Sequence, residues 1–337
     1  MGKLQEKLKD LFSFTYAFPA VSGATAVENA FILALMAQKE KKRIIVFKNN
    51  YAGQTLIALI GSDMPEAHTG FGPLYAHVTY IDPYTEQAAK ELIFHLSKGD
   101  VALIWFEIFQ GGIDREIPEN ILKIVQAYKE KHGYYIGIDE IFAGFYRIDK
   151  LTSYQDTPIQ PDIVTFSKAF CDGTFPIAAT LVSPEVYTRA CQRDAARVLF
   201  LQNLYKNQFG AHGALHCIEQ LTDPSLVEQI KRTSRIFANG LKEISEKSPY
   251  LHKIEGKGHS YALIYKDRVY EIYFCQKALK KRDLFIFINR LEPALTIADE
   301  EAREIVARLK NLLQKNRIAT FIDSWFYKRK LMKAWKL

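Results

Sequence analysis

Apolar side chains recur at helical spacing from about Thr25 to Gln38 (Val27, Ala30, Phe31, Ala34, Leu35), and the run Arg43-Ile-Ile-Val-Phe47 after them predicts a short buried strand. The same alternation returns further on. Val101-Ala-Leu-Ile-Trp-Phe106 predicts a strand, Asn120 to Lys131 a helix, and Tyr134-Tyr-Ile-Gly-Ile138 and Ile163-Val-Thr-Phe166 two more strands. Strands alternating with helices predict an α/β fold with a mostly parallel sheet covered on both faces. A helical stretch then runs from Gly210 to about Leu221, and Pro224 opens a long amphipathic helix reaching about Lys247. A smaller C-terminal α+β domain follows. Its pieces are the alternating segment Ser260 to Tyr265, the run Leu284-Phe-Ile-Phe-Ile288, and a helix from Asp299 to about Leu313 with Thr296 or Asp299 as N-cap. The expected division is a large domain over 1–225, a small one over 226–318 and a tail over 319–337.

Composition narrows the class without naming a chemistry. A chain of 337 residues, 48% hydrophobic and 25% charged, has ordinary values for a soluble globular protein. It shows no apolar run of about 18 residues and no charged-then-apolar leader, so no membrane partner is expected and the cytoplasm is the default location. The four cysteines, Cys171, Cys191, Cys217 and Cys275, form no CxxC pair and have no histidine at zinc-site spacing, which predicts reduced thiols and no metal centre. Much of the net charge of +7 lies in the last stretch, where Lys328, Arg329, Lys330, Lys333 and Lys336 interleave with Trp325, Phe326, Tyr327 and Trp335. That pattern predicts a basic surface helix with a docked aromatic face rather than a nucleic-acid partner.

In an open α/β sheet, ligands sit beyond the carboxyl ends of the strands, so the residues just after each buried strand carry the candidate chemistry. Tyr134 to Ile138 ends in Asp139-Glu140, a carboxylate pair where a structural turn would favour neutral residues. Ile163 to Phe166 ends in Ser167-Lys168-Ala169-Phe170, a lone lysine leading into an apolar patch. A lysine in such surroundings loses part of its preference for the charged form and becomes a nucleophile toward an aldehyde. Taken alone, Lys168 also reads as a solvated strand-end lysine. An acid after one strand and a lysine after the next suit pyridoxal phosphate: the lysine forms a Schiff base, and the acid pairs with the pyridinium nitrogen and keeps the ring an electron sink. A charged Glu107 directly after the apolar Val101 to Phe106 is hard to assign to packing alone.

These residues resemble the class III aminotransferases of the fold type I group. Gly137-Ile-Asp-Glu-Ile-Phe-Ala-Gly-Phe-Tyr-Arg147 is similar to the family's "ADEV..GFGR" element, and Pro161-Asp-Ile-Val-Thr-Phe-Ser-Lys168 to its "PDI.t.sK" element. Ser22-Gly-Ala-Thr-Ala-Val-Glu28 resembles "SGSEAVE", Asn50-Tyr-Ala-Gly-Gln-Thr55 resembles "YHGRT", and the segment from Glu107 resembles "EP.QGEGG". Gly256-Lys-Gly258 and Arg290-Leu-Glu-Pro-Ala-Leu-Thr-Ile297 resemble "GkG" and "RL.PPLtI". The resemblance runs from about residue 10 to about 313, in the family's order. It implies that Lys168 holds pyridoxal 5'-phosphate, that Asp139 pairs with the ring nitrogen, and that the Gly23-Ala24-Thr25 turn receives the phosphate on a helix N-terminus. It further implies that Tyr51 stacks on the ring, that Glu107 forms part of the polar wall, and that Arg290 binds a substrate carboxylate, the alternative being that Arg290 pairs with nearby Glu292 or another surface acid. It also implies a homodimer in which Gln208 matches a position reaching the partner's phosphate.

Several positions depart from the family pattern. The family's N-terminal segment is largely absent. Ala24 stands where a hydroxyl is usual, Phe142 where a glutamine approaches the cofactor's phenolic oxygen, and Gly112 where many members carry a glutamate that pairs with the arginine matched by Arg290. The expected activity is an aminotransferase moving an amino group between an amino acid or amine and an oxo acid. Racemase, aminomutase or decarboxylase chemistry on the same cofactor, and a non-catalytic cofactor-binding paralogue, remain as alternatives.

Overall fold

The structure, a computed structural model, describes residues 1–71, 74–170, 173–280, 286, 289–314, 324, 326 and 329. The apolar runs assemble as inner strands of a seven-stranded sheet. Its strands are β1 (Tyr16–Ala20), β2 (Arg43–Phe47), β3 (Val78–Ile81), β4 (Val101–Phe106), β5 (Tyr135–Asp139), β6 (Ile163–Phe166) and β7 (Ala178–Val182), in spatial order β1-β7-β6-β5-β4-β2-β3. From β3 to β6 all pairings are parallel, and β7 runs antiparallel between β6 and β1. This is the α/β fold with a mostly parallel sheet that the sequence predicts.

The two-residue period of a strand sends alternate side chains to opposite faces, and both faces here are buried. Ile45, Phe47, Ile104, Phe106, Ile136, Ile138, Val164 and Phe166 meet α1 (Gly2–Phe12), α3 (Ala88–Leu96), α4 (Glu119–His132) and α6 (Gln208–Leu221). Ile44, Val46, Leu103, Trp105, Tyr135 and Ile163 meet α2 (Gly23–Ala37) and α5 (Pro184–Leu204). Because both faces are covered, the strands read as continuous apolar runs, which is why they were legible. Two elements precede the Gly23 turn: α1, with Leu4, Leu8 and Phe12 buried along one stripe, and β1.

The chain divides into two units, Met1–Phe145 with Lys150–Thr222, and Tyr146–Asp149 with Asp223–Leu337. The second unit begins with α7 (Pro224–Lys247), capped by Asp223, whose carboxylate accepts from the Ser225 and Leu226 N–H groups. It continues through an antiparallel sheet of β8 (Leu251–Lys257), β9 (Ser260–Tyr265) and β10 (Arg290–Leu291), the helix α8 (Arg268–Lys280), and α9 (Asp299–Leu313). Phe237, Leu241, Ile244, Leu263, Phe274 and Leu309 form its core. The expected N-cap of α9 is corrected. Ala298 holds that position, and its N–H donates to the Glu301 carboxylate, so the acid at the third helical position does the capping that Thr296 or Asp299 was expected to do. The run Leu284 to Ile288, save Ile286, lies outside the described residues, as do Cys171 and the basic aromatic tail apart from Ser324, Phe326 and Arg329.

Candidate active site

The carboxyl ends of β4, β5 and β6 and the N-terminus of α2 converge on a cavity of about 220 Å³ lined by Gly23, Ala24, Tyr51, Gly53, Glu107, Asp139, Phe142 and Lys168, among others. Thr25 and Gln208, of the same unit, do not line it, and Arg290 belongs to the second unit. Thr25 instead closes a capping box with Ser22: its N–H donates to Ser22 Oγ at 3.2 Å and its Oγ1 accepts from the Ser22 N–H at 3.0 Å. This leaves the Gly23 and Ala24 N–H groups of the first turn for an anion. Gln208 Oε1 accepts from the Met1 amine at 2.7 Å.

Glu107 organises the wall opposite that turn. Its Oε2 accepts from the Tyr51 N–H at 2.9 Å and its Oε1 from the Gly111 N–H at 3.1 Å. Its own N–H donates to Asn50 Oδ1 at 2.7 Å, while Asn50 Nδ2 donates to the Gly61 carbonyl. The loop carrying Tyr51 is therefore fixed to the end of β4 from both directions. Burial pushes the Glu107 carboxyl up to about 8, with the Asp139 charge adding to the rise and the Tyr51 and Gly111 N–H groups opposing it. Tyr51, 43% exposed, lines the cavity. The loop comes close enough to α2 that a Cβ on Gly53, at φ +119°, would lie 2.7 Å from the Ala24 Cβ, so both conformation and space require glycine there.

The two adjacent carboxylates at the end of β5 part company. Asp139 is the last residue of the strand rather than the first of the turn, and it faces the cavity. Its Oδ1 accepts from the Ile141 N–H at 2.9 Å, while its Oδ2 is buried with no hydrogen-bond partner among the described residues. Burial pushes its carboxyl up to about 7, opposed by the Ile141 N–H, the Lys168 charge and the Thr165 hydroxyl. Glu140 turns away, its Oε1 accepting from the Ser153 N–H at 2.8 Å and from the Ser153 hydroxyl, and burial pushes it up to about 8.

Lys168 starts a single 3₁₀ turn after β6. The expected apolar surroundings need correction: the lysine is exposed at the cavity, and its Nζ stands 4.9 Å from the centroid of the Phe142 ring. The negative ring face holds the ammonium there without removing it from water. Sequence reasoning assigned no role to Asn50, Gln54, Ile141 or Ser167. Asn50 and Gln54 flank Tyr51 within an element already singled out, but an asparagine's amide contacts cannot be read from its position in the chain.

An orphaned buried carboxylate oxygen, a reachable lysine, a tyrosine face and an open helix N-terminus are the donor set that an aldehyde-bearing pyridinium phosphate needs. A model of the aminotransferase class-III family matches residues 1–313. The chain belongs to the class III aminotransferases. It is a transaminase, and its cofactor is pyridoxal 5'-phosphate, which the residues present fit. This aminotransferase is 27% identical over 317 residues to the acetylornithine aminotransferase of Caldanaerobacter subterraneus, covering 89% of this chain and 76% of that one. It is 28% identical over 316 residues to the putrescine aminotransferase of Pectobacterium atrosepticum, covering 89% and 66%. Among solved structures, the ornithine aminotransferase of Toxoplasma gondii, described with partial occupancy of pyridoxal phosphate at its active site, superposes with a TM-score of 0.81 at 22% identity, over 93% of this chain and 76% of that one.

Proposed function

We propose that this transaminase moves an amino group between a primary amine or amino acid and an oxo acid, and that at least one of these substrates carries a carboxylate received by Arg290. The observation that carries the reading is the Arg290 guanidinium. Its side chain is only 20% exposed, and it already holds one carboxylate, that of Glu292, at 2.8 Å. A planar fork that binds an internal carboxylate is competent to bind a substrate's. The relatives are named for acetylornithine, putrescine and ornithine, and each of these compounds bears a primary amine at the end of an alkyl chain.

On this reading each residue of the site has a role that its placement supports. Lys168 Nζ would hold the cofactor and, once released by the donor amine, would carry a proton at the donor carbon. Asp139 Oδ2 would keep the cofactor's ring nitrogen protonated, Tyr51 would pack against its ring, and the Gly23 and Ala24 N–H groups, in the turn that Thr25 caps, would receive its phosphate. Glu107 keeps the Tyr51 loop in place. The bound cofactor supplies an electron sink for the pair left when the donor carbon loses its proton. We further propose a homodimer in the cytoplasm, with Gln208 serving the partner's site. The exposed apolar side chains of Leu199, Phe200, Leu204 and Phe209 support a covered face near Gln208, and Cys191, Cys217 and Cys275 are thiols suited to a reducing compartment.

Steady-state kinetics of Arg290→Ala tests the substrate class. The KM for carboxylate-bearing donors or acceptors should rise about 10- to 100-fold, the scale of a lost charge-assisted pair, while a carboxylate-free amine is unaffected. Unchanged apparent affinity for every carboxylate-bearing substrate would overturn the reading.

A further inference from the structure

Between the first unit's residues Phe145 and Lys150, four residues belong to the second unit. The base of this excursion is pinched by the Phe145 N–H donating to the Leu151 carbonyl at 2.8 Å, and its tip by the Asp149 N–H donating to the Tyr146 carbonyl at 3.1 Å. Phe145, Tyr146 and Asp149 all adopt left-handed φ, at 56°, 70° and 71°. None is glycine, and such conformations persist only where surrounding contacts over-determine them. The contacts here centre on Arg147. Its Nη1 donates to the Pro293 carbonyl at 2.7 Å and to the His259 carbonyl at 3.2 Å, and its own carbonyl accepts from the His259 N–H at 2.9 Å. The turn is built to admit it: a Cβ on Gly258, at φ +63°, would stand 2.5 Å from the Arg147 carbonyl oxygen. His259 is fully buried, and its Nε2 is 2.9 Å from the Thr233 hydroxyl of α7. Burial and the Arg147 charge together hold its imidazole down at about 4, so it stays neutral beside the guanidinium.

Pro293 lies three residues after Arg290. Among the described residues, the segment between them is held to the sheet by the short β10, where Arg290 pairs with Ala262 and Leu291 with Tyr261, and by the Leu263 N–H donating to the Asn289 carbonyl at 2.8 Å. We propose that Arg147 is a positioning residue for substrate-carboxylate recognition: it fixes the far end of the Arg290–Pro293 segment and thereby the direction of the Arg290 guanidinium. This rests on the reading of Arg290 given above, since Arg147 acts through that side chain. Arginine suits the task because one side chain must span two carbonyls on different segments while staying charged.

The test compares Arg147→Met and Arg147→Lys holoenzymes with Arg290→Ala, using a carboxylate-bearing donor, a carboxylate-free primary amine, and hydrogen exchange at the Leu263 amide. The expected result for Arg147→Met is a KM for the carboxylate-bearing donor raised by about tenfold, the scale of a lost charge-assisted hydrogen bond, with KM and kcat for the carboxylate-free amine within about twofold. Exchange at Leu263 should accelerate, and Arg147→Lys should recover part of both effects. Equal losses with both donors, or unchanged exchange at Leu263 in both variants, would overturn the positioning role. If Leu263 exchange responds to Arg147 while Arg290→Ala leaves carboxylate affinity unchanged, the substrate reading fails and the inference drawn from it fails as substrate recognition, leaving only the segment's anchoring. Should Arg147→Met not fold, the same two readouts on Arg147→Lys decide.

Discussion

The cofactor edge of the first unit and the Arg290 segment of the second treat their charged groups in opposite ways. At the end of β5, Asp139 is 3% exposed and leaves one carboxylate oxygen with no hydrogen-bond partner among the described residues. At β10, Arg290 already has Glu292, so a substrate carboxylate received there, as proposed, would have to displace a partner that the chain itself provides. A buried orphan costs the empty protein stability and is recovered on binding. An internal partner costs the empty protein nothing and is lost from affinity instead. The two regions should therefore answer to mutation with opposite signs.

The largest effect is expected at the cofactor edge. Lys168→Ala should abolish the visible absorbance of lysine-bound cofactor and lower turnover by at least about 10⁴-fold, since nucleophile and proton carrier are lost together. Retained activity, or borohydride trapping of the cofactor on another lysine, would remove Lys168 from the role.

Asp139→Asn should slow the proton-transfer half-reaction by about 10²-fold or more while leaving cofactor binding only modestly weaker. The same change should stabilise the cofactor-free protein at alkaline pH. The folded-state value of Asp139, about 7, lies above its ordinary value of 3.8, so the folded protein binds this proton more tightly than the unfolded chain. Stability is therefore highest below about pH 4 as far as this group is concerned, and is lost progressively as pH rises toward and through about 7. Glu107 and Glu140, both raised to about 8, add losses of the same sign in the window from their ordinary 4.5 upward. Chemical denaturation at pH 5 and pH 8 should show the variant gaining on the wild type at the higher pH, by about 1–3 kcal/mol. Identical pH dependence in the two proteins would show that Asp139 is not held against its charge.

The smallest effect sharpens the comparison most. Glu292→Gln removes the internal competitor and should lower KM for carboxylate-bearing substrates by about two- to fivefold, in line with the modest strength of a partly exposed ion pair. A rise in KM would mean that Glu292 orients Arg290 rather than competes for it.

The sheet's inner strands were legible because burial on both faces turns them into unbroken apolar runs, and the candidate lysine and acid were legible because the carboxyl ends of such strands are where ligands collect. The remaining elements were not. β1 and β3 lie at the sheet's edges, β7 (Ala-Ala-Thr-Leu-Val) opens with small residues, and α1 is a charged helix whose apolar stripe is Leu4, Leu8 and Phe12. Nor can the order of residues say which of two adjacent carboxylates enters the cavity. That depends on where β5 ends, and it ends on Asp139, sending Glu140 to Ser153.

What the sequence by itself determined is the reaction class. Lys168 stands 29 residues after Asp139, each at the end of a buried strand and each within an element similar to that of one family, and these are properties of the linear chain. What only the tertiary structure decided is which polar atoms have partners: the open Oδ2 of Asp139, the Asn50–Glu107 clamp on the Tyr51 loop, the ammonium of Lys168 over Phe142, and the Arg147 bridge from His259 to Pro293. The physical reason is range. Apolar periodicity is set by neighbours a few residues away, whereas Asn50 and Glu107, or Arg147 and Pro293, lie 57 and 146 residues apart in the chain and meet only once the sheets have formed.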